Sequence, residues 1–173
     1  MANSRSESDA ETLRLDVRGH VAPRCGFAPG AAPRGGGPNG MALSPDAAAR
    51  APAVIDFSID CNTPFRLRVE SDSWTMRLVD QPPVRATGLG ALRDWVGYDL
   101  SLEAPAAGLK AQCGRASLLG GGCVLTGARG LRSAKPAFAA EARLSVTPSE
   151  AATPSTHAAG LYRDTLRIIV EAD

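Results

Sequence analysis

Four cysteines, two histidines and a few outward carboxylates are the residues of this chain that could do chemistry. Cys25, Cys61, Cys113 and Cys123 are an even set, which fits two disulfides, with four buried thiols as the alternative. They contain no C-x-x-C pair, and His20 and His157 stand far from both cysteine pairs in sequence, so a zinc site is not expected. A catalytic triad has no G-x-S-x-G elbow to carry its serine. His20 falls on the outward parity of its segment and His157 in a Pro/Ser/Thr-rich loop, so both are expected to be solvated. The glycine runs do not form a phosphate loop, because no Lys follows Gly120–Gly122. Asp56 and Asp60 share a strand face without a third ligand. Arg66, Arg68, Arg163 and Arg167 read as a solvated stripe. Neither catalysis, a cofactor nor a metal is expected.

The elements that must position these residues are strands. Residues 160–173, G-L-Y-R-D-T-L-R-I-I-V-E-A-D, place Tyr162, Leu166, Ile168 and Val170 on one parity and Arg163, Thr165, Arg167 and Glu171 on the other. Period two is the pattern of a half-buried strand. Leu13, Leu15, Val17, Gly19 and Val21 alternate with polar residues, and Cys25 continues their parity. Ile55, Phe57, Ile59 and Cys61 alternate likewise, then Phe65, Leu67 and Val69. Trp74, Met76 and Leu78, then Val96, Tyr98, Leu100 and Leu102, then Phe138, Ala140, Ala142, Leu144 and Val146 continue the series. One short helix is conceivable around 44–50, after S-P-D. Residues 26–52 read as a long, turn-rich connection. About seven strands separated by turn signals predict an all-β antiparallel sandwich or barrel. A Cys25–Cys61 bridge would cross-link neighbouring strands in the core. Cys113–Cys123 would tie off a surface hairpin.

With 173 residues the chain is long enough for one core. A net charge of +1 and 5% aromatics predict neither a nucleic acid partner nor an anionic membrane. No segment has the roughly 20 apolar residues of a transmembrane helix. Residues 1–11 are polar and expected to be a disordered extension to a single domain over 12–173. They hold no apolar signal region, so an export signal is expected to precede the numbered start.

The stretch L-Y-R-D-T-L-R-I-I-V-E resembles the closing strand motif of spore coat protein U domain proteins, which overlap the archaic chaperone–usher pilus subunits. F-S-I-D-C-N-T-P-F-R-L-R-V (57–69) is similar to their second strand, and D-V-R-G-H-V-A-P-R-C (16–25) to the N-terminal strand that runs into the partner cysteine. A-F-A-A-E-A-R-L (137–144) sits where that family has its penultimate strand. The resemblance implies an immunoglobulin-like antiparallel β-sandwich of pilin type, lacking its last strand. It implies an exported structural subunit of a fimbria or of a cell-surface or spore coat, assembled by donor-strand complementation. The implied partners are a periplasmic pilus chaperone, an outer-membrane usher and neighbouring subunits, and the implied route runs from periplasm to cell surface. Leu13, Leu15, Val17 and Val21 have the alternation of a donor strand, given in cis or in trans. Tyr162, Leu166, Ile168 and Val170 are the acceptor-groove strand. Filling four such sockets is worth about 6–12 kcal/mol at about 1.5–3 kcal/mol each. The alternative is a self-contained binding module or tip adhesin recognising a surface ligand.

Overall fold

A computed structural model describes residues 16, 18–28, 52–79, 92–149, 157–158 and 160–173. The sequence alternation becomes ten strands among these residues. They are β1 (Cys25–Phe27), β2 (Ala53–Cys61), β3 (Phe65–Ser71), β4 (Thr75–Leu78), β5 (Trp95–Ala104), β6 (Leu109–Cys113), β7 (Leu131–Ser133), β8 (Ala137–Pro148), β9 (Tyr162–Arg163) and β10 (Leu166–Ala172). A single-turn helix α1 (Arg115–Leu119) and a 3-10 turn (Pro105–Ala107) are the helical pieces described. The fold is all-β, and every strand pair is antiparallel.

One sheet runs β1-β2-β8-β5-β4-β9, with β6 also on β5, and the other runs β10-β3-β7. Alternation explains why they share one core. Phe57 and Ile59 of β2, Phe65, Leu67 and Val69 of β3, Leu100 and Leu102 of β5 and Leu144 of β8 are all at most 4% exposed. Their polar neighbours face out and pair there: Asp56 with Arg143, Glu103 with Lys110. Burial of such side chains supplies the main driving force.

Several expectations change. The strand read across 12–25 does not form over its described part: Asp16 and residues 18–24 lie outside any strand, and β1 begins only at Cys25. Pro23 has no N–H to give a ladder. Leu13, Leu15 and Val17, the 1–11 extension and the helix candidate at 44–50 fall outside the described residues. The loop between Cys113 and Cys123 is not a hairpin, because α1 occupies it. β6 and β7 were not expected; five and three residues are too short to stand out from the turns around them.

Phe138 was expected in the core but is 68% exposed. Ile59 pairs with Ala140 whereas Cys61 pairs with Ala137, so β8 carries one extra residue there. Ala139 absorbs it at φ 47°. Such a bulge reverses the facing of the side chains before it. Phe138→Ser should therefore change stability by less than about 0.5 kcal/mol, whereas Leu144→Ala should cost about 2–5 kcal/mol. Urea denaturation of the two variants compares them directly.

Candidate functional site

The two sheets leave an edge on the same side of the molecule. β1 closes one sheet and pairs with β2 alone; β10 closes the other and pairs with β3 alone, among the described residues. β1 packs beside β10 across the gap between the sheets. The outer edge of each has no ladder partner among the described residues.

The apolar side chains along these two strands are half-covered. Ile168 and Val170 sit opposite Val69 and Leu67 in the ladder. Those two partners are fully buried at 0% exposure, yet Leu166, Ile168 and Val170 are only partly buried. The asymmetry follows from position: β3 has neighbours on both sides, β10 on one. On the β1 side, Phe27 lies opposite the buried Ile59 and so faces the same way, but it is 48% exposed. Its ring makes an edge-to-face contact with Phe57 at 5.7 Å. Cys25 pairs in register with Cys61, and the disulfide between them staples β1 to β2. Leu166, Ile168, Val170 and Cys25 pack, partly buried, against the core at these edges, and Phe27 packs on Phe57.

Tyr162 does not join them. Residues 160–173 are not one strand: β9 pairs with β4 in the first sheet and β10 with β3 in the second. Asp164, at the break, explains the change of sheet. Its Oδ2 accepts hydrogen bonds from Tyr98 Oη and Ser71 Oγ, both at 2.6 Å, and its Oδ1 accepts one from the Thr165 amide at 2.8 Å. These bonds fix the chain at the point where it passes from one sheet to the other. The Tyr162 hydroxyl meanwhile donates to the Ala158 carbonyl at 2.6 Å. Tyr98 is 1% exposed. Burial, and then the hydrogen bond to Asp164, push its hydroxyl pKa far above the usual tyrosine range.

Val21, the one described residue of the expected donor strand, is 80% exposed and in no strand. His20 is exposed as expected, but His157 is buried at 5% exposure. Its segment is drawn onto the sheet by a bridge to Arg93 and by the Ala158 amide bond to the Arg93 carbonyl at 2.9 Å. The arginine stripe is not a bare cationic face. Arg66 pairs with Asp173, Arg68 with Glu171 and Glu70, and Arg167 with Asp72. Glu171 first, then Glu70, hold the Arg68 pKa above its ordinary value.

No family model matches this chain, and no curated protein matches it in sequence. The fold defines it as an all-β, two-disulfide protein in which β1 and β10 are edge strands, as are β6, β7 and β9, among its described residues. All four cysteines are oxidised, which belongs to an oxidising, extracytoplasmic environment. Among the described residues no helix is long and apolar enough to cross a membrane.

Proposed function

We propose that this protein is a structural subunit that assembles by accepting a β-strand from another molecule in the groove between β1 and β10. The observation that carries the reading is the half-burial of Leu166, Ile168 and Val170 beside fully buried partners on β3. A strand laid along the free edge would supply main-chain partners and cover those side chains. Since each of the three is already half-covered, the gain is about 2–4.5 kcal/mol, half of their full-burial value. That approaches the lower end of a domain's whole stability of about 5–15 kcal/mol.

Strand order supports an immunoglobulin-like class. Constant-type domains place strands A-B-E-D in one sheet and C-F-G in the other. Here β1-β2-β8-β5 follow the first order and β3-β10 supply C and F. The place of G, beside β10, is where the groove lies. With the resemblance of the sequence to spore coat U and archaic chaperone–usher subunits, this favours an exported fimbrial or coat subunit. Its groove would be held by a periplasmic chaperone and refilled by a neighbouring subunit at an outer-membrane usher.

The test is hydrogen exchange on the isolated chain with and without a synthetic peptide of residues 12–21. Without peptide, the β10 amides that point away from β3 should exchange far faster than those of β3. With it they should slow, and the unfolding midpoint should rise. A peptide carrying Leu15→Asp should do neither. Slow exchange at those amides before any peptide is added would sink the proposal.

A further inference from the structure

Strands β5, β4 and β9 lie side by side at one end of their sheet, and their register sets a row of side chains across its outer face. Arg163 of β9 stands directly opposite Arg77 of β4, and Arg77 stands directly opposite Trp95 of β5. The flanking residues Met76, Tyr162 and Val96 are buried, so alternation turns Arg163, Arg77 and Trp95 outward. Further along, the Val79 amide donates to the Leu161 carbonyl at 2.9 Å and continues the ladder. Val79 and Leu161 share the outward parity and are 47% and 45% exposed. Arg93 Cζ lies 5.3 Å from the centroid of the Trp95 ring, which brings a third guanidinium to the same face.

Neither Arg77 nor Arg163 meets a carboxylate among the described residues. Like charges directly opposite each other on neighbouring strands destabilise a sheet, so this pair works against the fold unless an anion lies over it. Charge on an edge strand does protect it from pairing with another edge. That protection does not call for an exposed Val and Leu beside the charges. Of the nearby acids, Asp94 falls on the inward parity between Arg93 and Trp95, and Asp99 Oδ1 accepts the Arg115 amide at 2.8 Å. The net charge of +1 for the whole chain does not register this concentration of cations.

We propose that this face docks on an anionic phospholipid surface. Headgroup phosphates meet Arg163 and Arg77, while Val79 and Leu161 enter the boundary between headgroups and acyl chains. Trp95 sits at headgroup level, where an amphipathic ring is best placed. A flat sheet face suits a flat partner. A soluble polyanion would be held by the arginines alone and would leave Val79 and Leu161 in water, so the apolar residues favour lipid. The face shares no residue with β1 or β10, so it stands or falls independently of strand acceptance.

Sedimentation of the intact chain with vesicles of phosphatidylcholine, alone or with about one-third phosphatidylglycerol, is the test. Anionic vesicles should bind at least tenfold more tightly than neutral ones, and added salt should weaken the binding. Arg77→Gln with Arg163→Gln should weaken it at least tenfold without lowering the urea midpoint, since a like-charge pair is removed. Arg129→Gln with Lys135→Gln removes the same charge elsewhere and should leave binding unchanged. Val79→Ser with Leu161→Ser should weaken vesicle binding at least fivefold while leaving the binding of dextran sulfate, a soluble polyanion, as it is. Equal binding to neutral vesicles, or an equal loss in the Arg129 and Lys135 variant, would overturn the proposal. Unchanged vesicle binding in Val79→Ser with Leu161→Ser would make the face a polyanion site and overturn lipid docking.

Discussion

Asp164→Ala is expected to lower the free energy of unfolding by about 3–4 kcal/mol, an effect ordinarily associated with core cavities. The residue is a turn acid rather than a core side chain, but two hydroxyls converge on one of its oxygens. Removing it leaves Tyr98 Oη, on a side chain 1% exposed, with only the longer 3.2 Å contact to Ser71. It also frees the chain at the point where it passes from β9 in one sheet to β10 in the other. Tyr98→Phe should cost less, about 1.5–3 kcal/mol, the value of one hydrogen bond to a charged acceptor. The double variant should cost less than the sum, because both changes remove the same bond.

The same cluster predicts an alkaline transition. The pKa of Tyr98 is raised in the folded state above the ordinary tyrosine value of 10.0, by burial and then by the hydrogen bond to Asp164. A raised pKa means that the folded chain holds this proton more tightly than the unfolded chain. The contribution is complete below pH 10 and is lost as pH rises above it, at up to about 1.4 kcal/mol per pH unit. Tyr98→Phe should flatten that slope. Some slope remains from Tyr162, raised by burial and then by Asp94. Urea denaturation at several pH values between 8 and 11 measures both effects. An identical slope in Tyr98→Phe would show that the phenol does not titrate with unfolding.

The strands that alternate without interruption were legible in the sequence. β2, β3, β5 and the inner part of β8 form where the parity of their apolar residues places them, because a half-buried strand leaves a two-residue period and nothing else does. The failures have local causes. Phe138 belongs to the right strand but the wrong face, since a one-residue bulge at Ala139 leaves no mark on composition. His157 looked solvated because its loop is rich in Pro, Ser and Thr; a bridge to Arg93, far away in sequence, buries it. Asp164 is the instructive case. It falls on the same parity as Tyr162, Leu166, Ile168 and Val170, so a charge interrupts the apolar face of what reads as one strand. That misplaced carboxylate was the available signal that the strand is broken there. That β10 is an edge strand was legible from the closing strand, but its nearness to β1 was not, because which edges of two sheets lie together is decided by topology. The close approach of Arg115 and Ser149 to Gly97 gave no signal at all, as these residues meet only once β5, α1 and the end of β8 are in place.

Replacing Cys25 and Cys61 together by Ala should cost about 4 kcal/mol in the chain-entropy model, against about 3 kcal/mol for Cys113 and Cys123. The ordering follows from separations of 36 and 10 residues. The difference between the pairs is less informative than where the loss falls. β1 is three residues long and its only ladder partner among the described residues is β2, so without the staple it should detach before the sheet melts. Detachment would turn β2 into a free edge and strip Phe27 from the rim of the groove. Hydrogen exchange of the β2 amides facing β1 should then accelerate far more than global destabilisation requires, while those facing β8 keep their protection. The 12–21 peptide should also bind more weakly, since one wall of its groove is gone. The Cys113–Cys123 variant, in contrast, should lose its 3 kcal/mol without any change at β1 or β10. Equal peptide binding by the two variants would mean that β10 alone receives the strand, with β1 no part of the groove.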